Sequence, residues 1–110
     1  MYNNLVKELL AEVKKEDSNV FSEQQKYSVW DKFSTIEIYI SESMVSYRVF
    51  GDAYIVAMAK WIQNKIQKKE DLRKINIESI ILDFELPEVK YRNALQLIEL
   101  IEKVNEGTTI

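Results

Sequence analysis

Residues 35–40 read Thr-Ile-Glu-Ile-Tyr-Ile, a strict alternation with three isoleucines on one side of an extended chain. Side chains alternate across a strand with a period of two, so this run predicts a strand with one buried face. A polar connection, Ser41-Glu42-Ser43, follows it. Val45, Tyr47 and Val49 then alternate with Ser46 and Arg48. Two such runs in close succession predict an antiparallel hairpin, although its turn carries neither Gly nor Asn.

Helical spacing dominates on either side of the hairpin. Val6, Leu9, Leu10 and Val13 predict an amphipathic helix over 3–15, capped by Asn3 or Asn4. Lys14 and Lys15 would stand in its last turn and complement its dipole. Ser22 and Gln25 have capping-box spacing, and Tyr27, Trp30 and Phe33 lie three apart, so 22–32 read as a second short helix. Gly51-Asp52 punctuates the chain, and Asp52 caps a helix running to about Lys69 with Ile55, Met58, Ala59, Ile62 and Ile66 as its stripe. Pro87 opens a last helix, because its missing N–H costs nothing there. Tyr91, Ala94, Leu95, Leu97, Ile98, Ile101 and Val104 give that helix a wide apolar face, and Gly107 stops it.

Residues 75–84 admit two readings. Ile77, Ile80, Ile81 and Phe84 fit a helical stripe, whereas a short isoleucine-rich run also fits a strand buried on both faces. The strand reading leads to an α+β fold. It is a small two-layer sandwich in which a β-hairpin and one further, parallel strand are packed by N-terminal, central and C-terminal helices, with a right-handed crossover. The helical reading leads to a mostly α protein with one hairpin. At 110 residues, the chain fits a single domain over 1–110, with a flexible tail at 106–110.

Under the strand reading, residues 45–104 run strand, helix, strand, helix through VSYRVFG, DAYIVAMAKWIQNKI, INIESIILDF and PEVKYRNALQLIELIEKV. That order is similar to the one in Alba-like nucleic-acid-binding proteins. The resemblance is one of element order over about half the chain. Glu85-Leu86-Pro87-Glu88 stands where that family has a basic glycine loop, and no functional residue carries over.

The chain has no Cys and no His, which removes disulfides, thiolate nucleophiles, imidazole bases and metal sites built on those side chains. Its two glycines rule out a glycine-rich phosphate loop. Lys7 and Glu8 interrupt the start too early for a secretory leader, and the longest apolar run, residues 54–59, is too short to span a bilayer. The expectation is a cytoplasmic protein without a membrane partner. Asp83, Glu85 and Glu88 form the densest carboxylate set, best read as a polar turn beside a helix start. The chain is therefore expected to be non-enzymatic, with no catalytic residue, cofactor or metal.

Interaction surfaces remain. Lys60, Lys65, Lys68, Lys69, Arg73 and Lys74 put six cations against Glu70 and Asp71 within residues 60–74, on a chain of net charge −3. Such a patch either contacts nucleic-acid phosphates or offsets a helix C-terminus. Glu99, Glu102 and Glu106 recur on one side of the last helix. Tyr39 and Tyr47 are candidates for an aromatic sheet face opposite the isoleucines, able to meet a protein partner, or for the interior if a helix covers that face, and burial is favoured because a small domain needs its large side chains inside. The leading expectation is a small protein-interaction module of the inhibitor or immunity type, using Tyr39, Tyr47, Glu99, Glu102 and Glu106. The alternative is a nucleic-acid-binding module using the six cations. A homo-oligomer formed through residues 91–104 is a third reading.

Overall fold

The alternating run of residues 35–40 is the central strand of a three-stranded antiparallel sheet, ordered β1-β2-β3. The structure, a computed structural model, describes residues 2–107. Among them the chain runs α1 (Asn4–Glu12), β1 (Gln25–Trp30), β2 (Thr35–Ile40), β3 (Val45–Phe50), α2 (Ala53–Gln67), α3 (Ile77–Phe84) and α4 (Tyr91–Glu106). Short 3₁₀ turns lie at Lys15–Ser18, Leu72–Lys74 and Glu88–Lys90.

The hairpin forms as expected, with Ile38 opposite Tyr47 and Tyr39 opposite Ser46. Cross-strand partners share a face. The isoleucines of β2 therefore share the inner face with Tyr27, Val29, Val45, Tyr47 and Val49, and Tyr39 stands on the outer face. The expectation that Tyr47 lies opposite the isoleucines is corrected by this register.

Residues 25–30 form β1 and not the expected helix. The three-residue spacing of Tyr27, Trp30 and Phe33 straddles a turn. Asp31 makes that turn: its Oδ1 accepts the backbone N–H groups of Phe33 (2.7 Å) and Ser34 (3.0 Å), and its own N–H donates to the Ser34 carbonyl at 2.9 Å. An aspartate that satisfies its own loop in this way competes with helix. Ser22 caps nothing. Gln24 instead accepts the Phe21 N–H and donates to the Tyr39 carbonyl and the Ser46 hydroxyl, which lays this segment over the outer face.

Residues 77–84 are helical, which removes the expected parallel strand and crossover and with them the Alba-like element order. Local capping favours the helix: Asn76 Oδ1 accepts the Ser79 N–H at 2.8 Å, and Ser79 Oγ accepts the Asn76 N–H at 3.4 Å. Ile80 and Phe84 are fully buried while Leu82 is 73% exposed, a one-sided pattern that a strand buried on both faces would not give. The third strand comes from residues 25–30, so the mostly α alternative fails as well.

α2 packs on the sheet mainly through β3, and α4 packs against β1; α1 lies on α2, and α3 on α4. Ile36, Ile38, Ile55, Met58, Ile62, Phe84, Leu97 and Leu100 are fully buried in one core. Each contributes roughly 1.5–3 kcal/mol of transfer free energy. Leu95, expected in the apolar face of α4, is exposed. α1 is capped by Asn3, but it ends at Glu12, so Lys14 and Lys15 lie beyond its last turn. Asp52 caps α2, and Gly107 ends α4 in the left-handed region, with φ 71°. Pro87 precedes the 3₁₀ turn that leads into α4. Of the expected flexible tail, Glu106 closes α4, and residues 108–110 lie outside the described residues. Gly51, at φ 154°, joins β3 to α2; a Cβ there would come within 3.2 Å of Ile55 Cγ2 and Ser34 Cβ. Among the described residues, no helix is long and apolar enough to cross a membrane.

Candidate functional site

The structure sets Lys60 apart from the other five expected cations. Lys60 is buried, and its ammonium contacts Asp17 Oδ2 (3.1 Å) and Gln63 Oε1 (2.9 Å). Gln63 Nε2 donates to Asp17 Oδ1 and to the Val45 carbonyl, and the Tyr47 hydroxyl and Lys14 N–H both donate to Asp17 Oδ2. Burial alone would raise the Asp17 carboxyl. The hydrogen bonds from Lys14, Lys60, Gln63 and Tyr47 outweigh it and hold the group below the ordinary carboxylate range. Lys65 pairs with Glu70 at 3.2 Å and lies over the Trp61 ring, and Arg73 pairs with Asp71 at 3.1 Å. Lys68, Lys69 and Lys74 are exposed and make no ion pair among the described residues.

Both candidate tyrosines are buried. Tyr47 is committed to Asp17 on the inner face. Tyr39 donates its hydroxyl to Glu37 at 2.7 Å beneath the Arg48 guanidinium, and burial together with the Glu37 carboxylate pushes its pKa up to about 12. Glu99, Glu102 and Glu106 are exposed on α4, away from buried Leu97, Leu100 and Ile101. Asp83 and Glu85 lie at the end of a helix and share no strand face; Asn3 Nδ2 bonds to the Asp83 carbonyl and Glu85 Oε2. Among the described residues, no group of three acidic side chains could hold a metal ion.

The exposed aromatic surface lies elsewhere, at the end of the sheet where β1 turns into β2. Trp30 and Phe50 flank Thr35 on the outer face, separated by two strand spacings, about 10 Å. Trp30 is 68% exposed, Phe50 72%, and Phe33, in the Asp31 turn, 56%. Arg92 reaches across from α4. Its guanidinium lies 4.6 Å from the Phe33 ring centre, and its Nε is 3.1 Å from Asp31 Oδ2. Lys103 donates to the Ser28 carbonyl at 2.7 Å, with its ammonium 5.8 Å from the Trp30 ring. One sequence signal pointed here: Trp30 and Phe50 fall out of phase with the inward alternation of Tyr27-Val29 and Val45-Tyr47-Val49.

Phe33 and Phe50 also wall a cleft of about 380 Å³ shared with Gly51, Asp52, Lys90 and Asn93. Lys90 and Asp52 form a close ion pair in it. Burial would raise the Asp52 carboxyl, but Lys90 and the Ile55 N–H more than offset this and lower it. Behind the cleft, Ser34 Oγ donates to Gln96 Oε1 at 2.7 Å, and Asn93 Nδ2 donates to the same oxygen at 3.3 Å. All three side chains are buried, yet Asn93 Oδ1 and Gln96 Nε2 have no hydrogen-bond partner among the described residues. Exchanging O and N on both amides keeps the internal bonds and still leaves one donor and one acceptor unused. The site thus combines aromatic area, two internal ion pairs, two further cations beside the rings, Lys32 and Lys103, and a buried amide. No protein-family model and no curated protein matches this chain, so the functional reading rests on this geometry.

Proposed function

We propose that the chain is a protein-interaction module that docks on a partner through Trp30, Phe33 and Phe50. The gathering of the three most exposed aromatic side chains at one end of the domain carries the reading. Exposed aromatic clusters flanked by Arg are the usual anchors of protein interfaces. The neighbouring outer face of α4 presents Glu99, Glu102 and Glu106, which suits a partner with an apolar pocket and a basic rim, since complementary rim charge speeds encounter. Occupying such a surface is what an inhibitor or immunity-type protein does.

Single-stranded nucleic acid is less well served. Stacking platforms work when cations track the backbone beside the aromatics. Lys69 borders the opposite end of the sheet, beside the β2–β3 turn, and Arg92 and Lys90 are matched by Asp31 and Asp52, which leaves Lys32 and Lys103 beside the rings, too few to track a backbone. The test is capture from a nuclease-free lysate of the producing cells, comparing the wild type with the Trp30→Ala/Phe50→Ala variant. Proteins held by the wild type and lost from the variant are expected. Size exclusion with light scattering would reveal a second copy of the chain as that partner. An unchanged set of captured proteins, or co-purifying nucleic acid alone, overturns the reading.

A further inference from the structure

We infer that the cleft between Phe33, Phe50 and Asn93 receives one aromatic side chain of the partner that carries a hydrogen-bond donor on its edge, with tryptophan the best fit. This rests on the docking reading and specifies its anchor. Three properties of the cleft select the occupant. Its charges are already satisfied, because Lys90 pairs with Asp52 and Arg92 with Asp31, so a charged group entering would have to break an ion pair. Its walls are the rings of Phe33 and Phe50 and its volume is about 380 Å³, which suits a planar apolar body. Its Asn93 is 3% exposed and, as the amides are placed, has an acceptor, Oδ1, with no partner among the described residues.

That last property separates tryptophan from phenylalanine or leucine. An apolar anchor would leave the acceptor unmatched, whereas an indole N–H satisfies it. Oδ1 is closed to solvent. The occupant reaches it by a partial turn of the Asn93 amide about its soft terminal sp³–sp² torsion, which gives up the 3.3 Å bond from Nδ2 to Gln96 Oε1 while that oxygen keeps the Ser34 hydroxyl. The Arg92 guanidinium, poised over Phe33, gains a second ring face when an indole enters, and indole is the strongest of the aromatic partners for a cation.

The test is an NMR titration of the intact chain with N-acetyl-tryptophanamide, with its 1-methylindole analogue, which lacks the N–H, and with adenosine. Saturable shifts confined to Phe33, Phe50, Gly51 and the Asn93 side-chain amide are expected from the tryptophan probe. Binding of the 1-methyl analogue should be about tenfold weaker, the usual loss for one unmatched buried acceptor. In Asn93→Leu the two probes should bind alike. Shifts elsewhere, equal affinities in the wild type, or tighter binding of adenosine overturn the assignment. The wild-type comparison of the two indoles decides the matter even where Asn93→Leu fails to fold. If these probes fail while Trp30→Ala/Phe50→Ala still loses its partner, only the anchor chemistry falls. If that variant keeps its partner, the docking reading falls with it.

Discussion

At the Val45 end of the sheet, Asp17, Tyr47, Lys60 and Gln63 share a buried polar cluster in which the charged and amide groups of all four are matched. At the Phe50 end, Ser34, Asn93 and Gln96 share another, and there one amide oxygen and one amide nitrogen are left over. The closed cluster ties the 3₁₀ turn at Lys15–Ser18 to β3 and α2, so it holds three parts of the chain in register. The open cluster sits behind a cleft whose rim aromatics face solvent. A fully satisfied network specifies structure, and a half-satisfied one costs stability that an added partner can recover. On the proposed docking reading, the contrast separates the scaffold from the docking surface.

The largest expected effect lies in the closed cluster. Lys60→Met strands the Asp17 carboxylate with no charged partner, and removing one member of a buried ion pair costs about 3 kcal/mol. Urea denaturation measures it directly. A loss under about 1 kcal/mol would mean that solvent screens the pair, and the distinction between the two ends would collapse. Acid provides the next step. Asp17 titrates near 3.8 in the unfolded chain and lower in the folded one. Between those values the unfolded state binds more protons, so stability is present above pH 4 and falls as pH drops through the folded value. Asp31, Glu37, Asp52 and Asp71 are lowered too and share the acid limb. Asp17→Asn should therefore flatten the limb in part, in denaturation curves taken from pH 6 to pH 2.

Periodicity made one half of this comparison legible and hid the other. The alternation of residues 35–49 and the stripes of α2 and α4 are local signals, and each produced its element. Lys60 reads as solvated because a helix with one covered face would expose it. α2 is instead covered twice, by the sheet and by α1, and the anion that Lys60 meets is 43 residues away in sequence. No local pattern carries that pairing. The strand β1 was obscured because Tyr27, Trp30 and Phe33 imitate a helical face while Asp31 folds the chain back. With β1 unread, Trp30 had no sheet to stand on and Phe50 no companion, so the aromatic end stayed invisible. The helix α3 was present in the residues from Asn76 to Phe84, but its isoleucines satisfy both periods. Its capping pair, Asn76 and Ser79, is what separates the two.

The open cluster should respond to mutation with the opposite sign. Replacing Ser34, Asn93 and Gln96 together, by Ala, Leu and Met, removes a network that is only half matched. Exchange of all partners for apolar groups of similar shape is nearly neutral or stabilising, so the triple variant should unfold within about 1 kcal/mol of the wild type or above it. A loss comparable to that of Lys60→Met would show that both clusters are scaffold.

The smallest stability effect belongs to the residues assigned the largest functional one. Trp30 and Phe50 are about two-thirds or more exposed, and they return little burial energy to the fold. Trp30 has a cation–π contact with Lys103, worth about 0.5–1 kcal/mol at an exposed site, and Phe50 lacks even that. Their joint replacement by Ala should move the unfolding midpoint by no more than about 1 kcal/mol equivalent. Removing two aromatic anchors from an interface should weaken partner binding by about 2 kcal/mol or more. Paired melting curves and binding isotherms on the same preparations test both halves at once. Stability well below this range would recast the aromatic end as part of the core it borders. Stability within it, with partner binding intact, would leave Trp30 and Phe50 as exposed side chains without a role in docking.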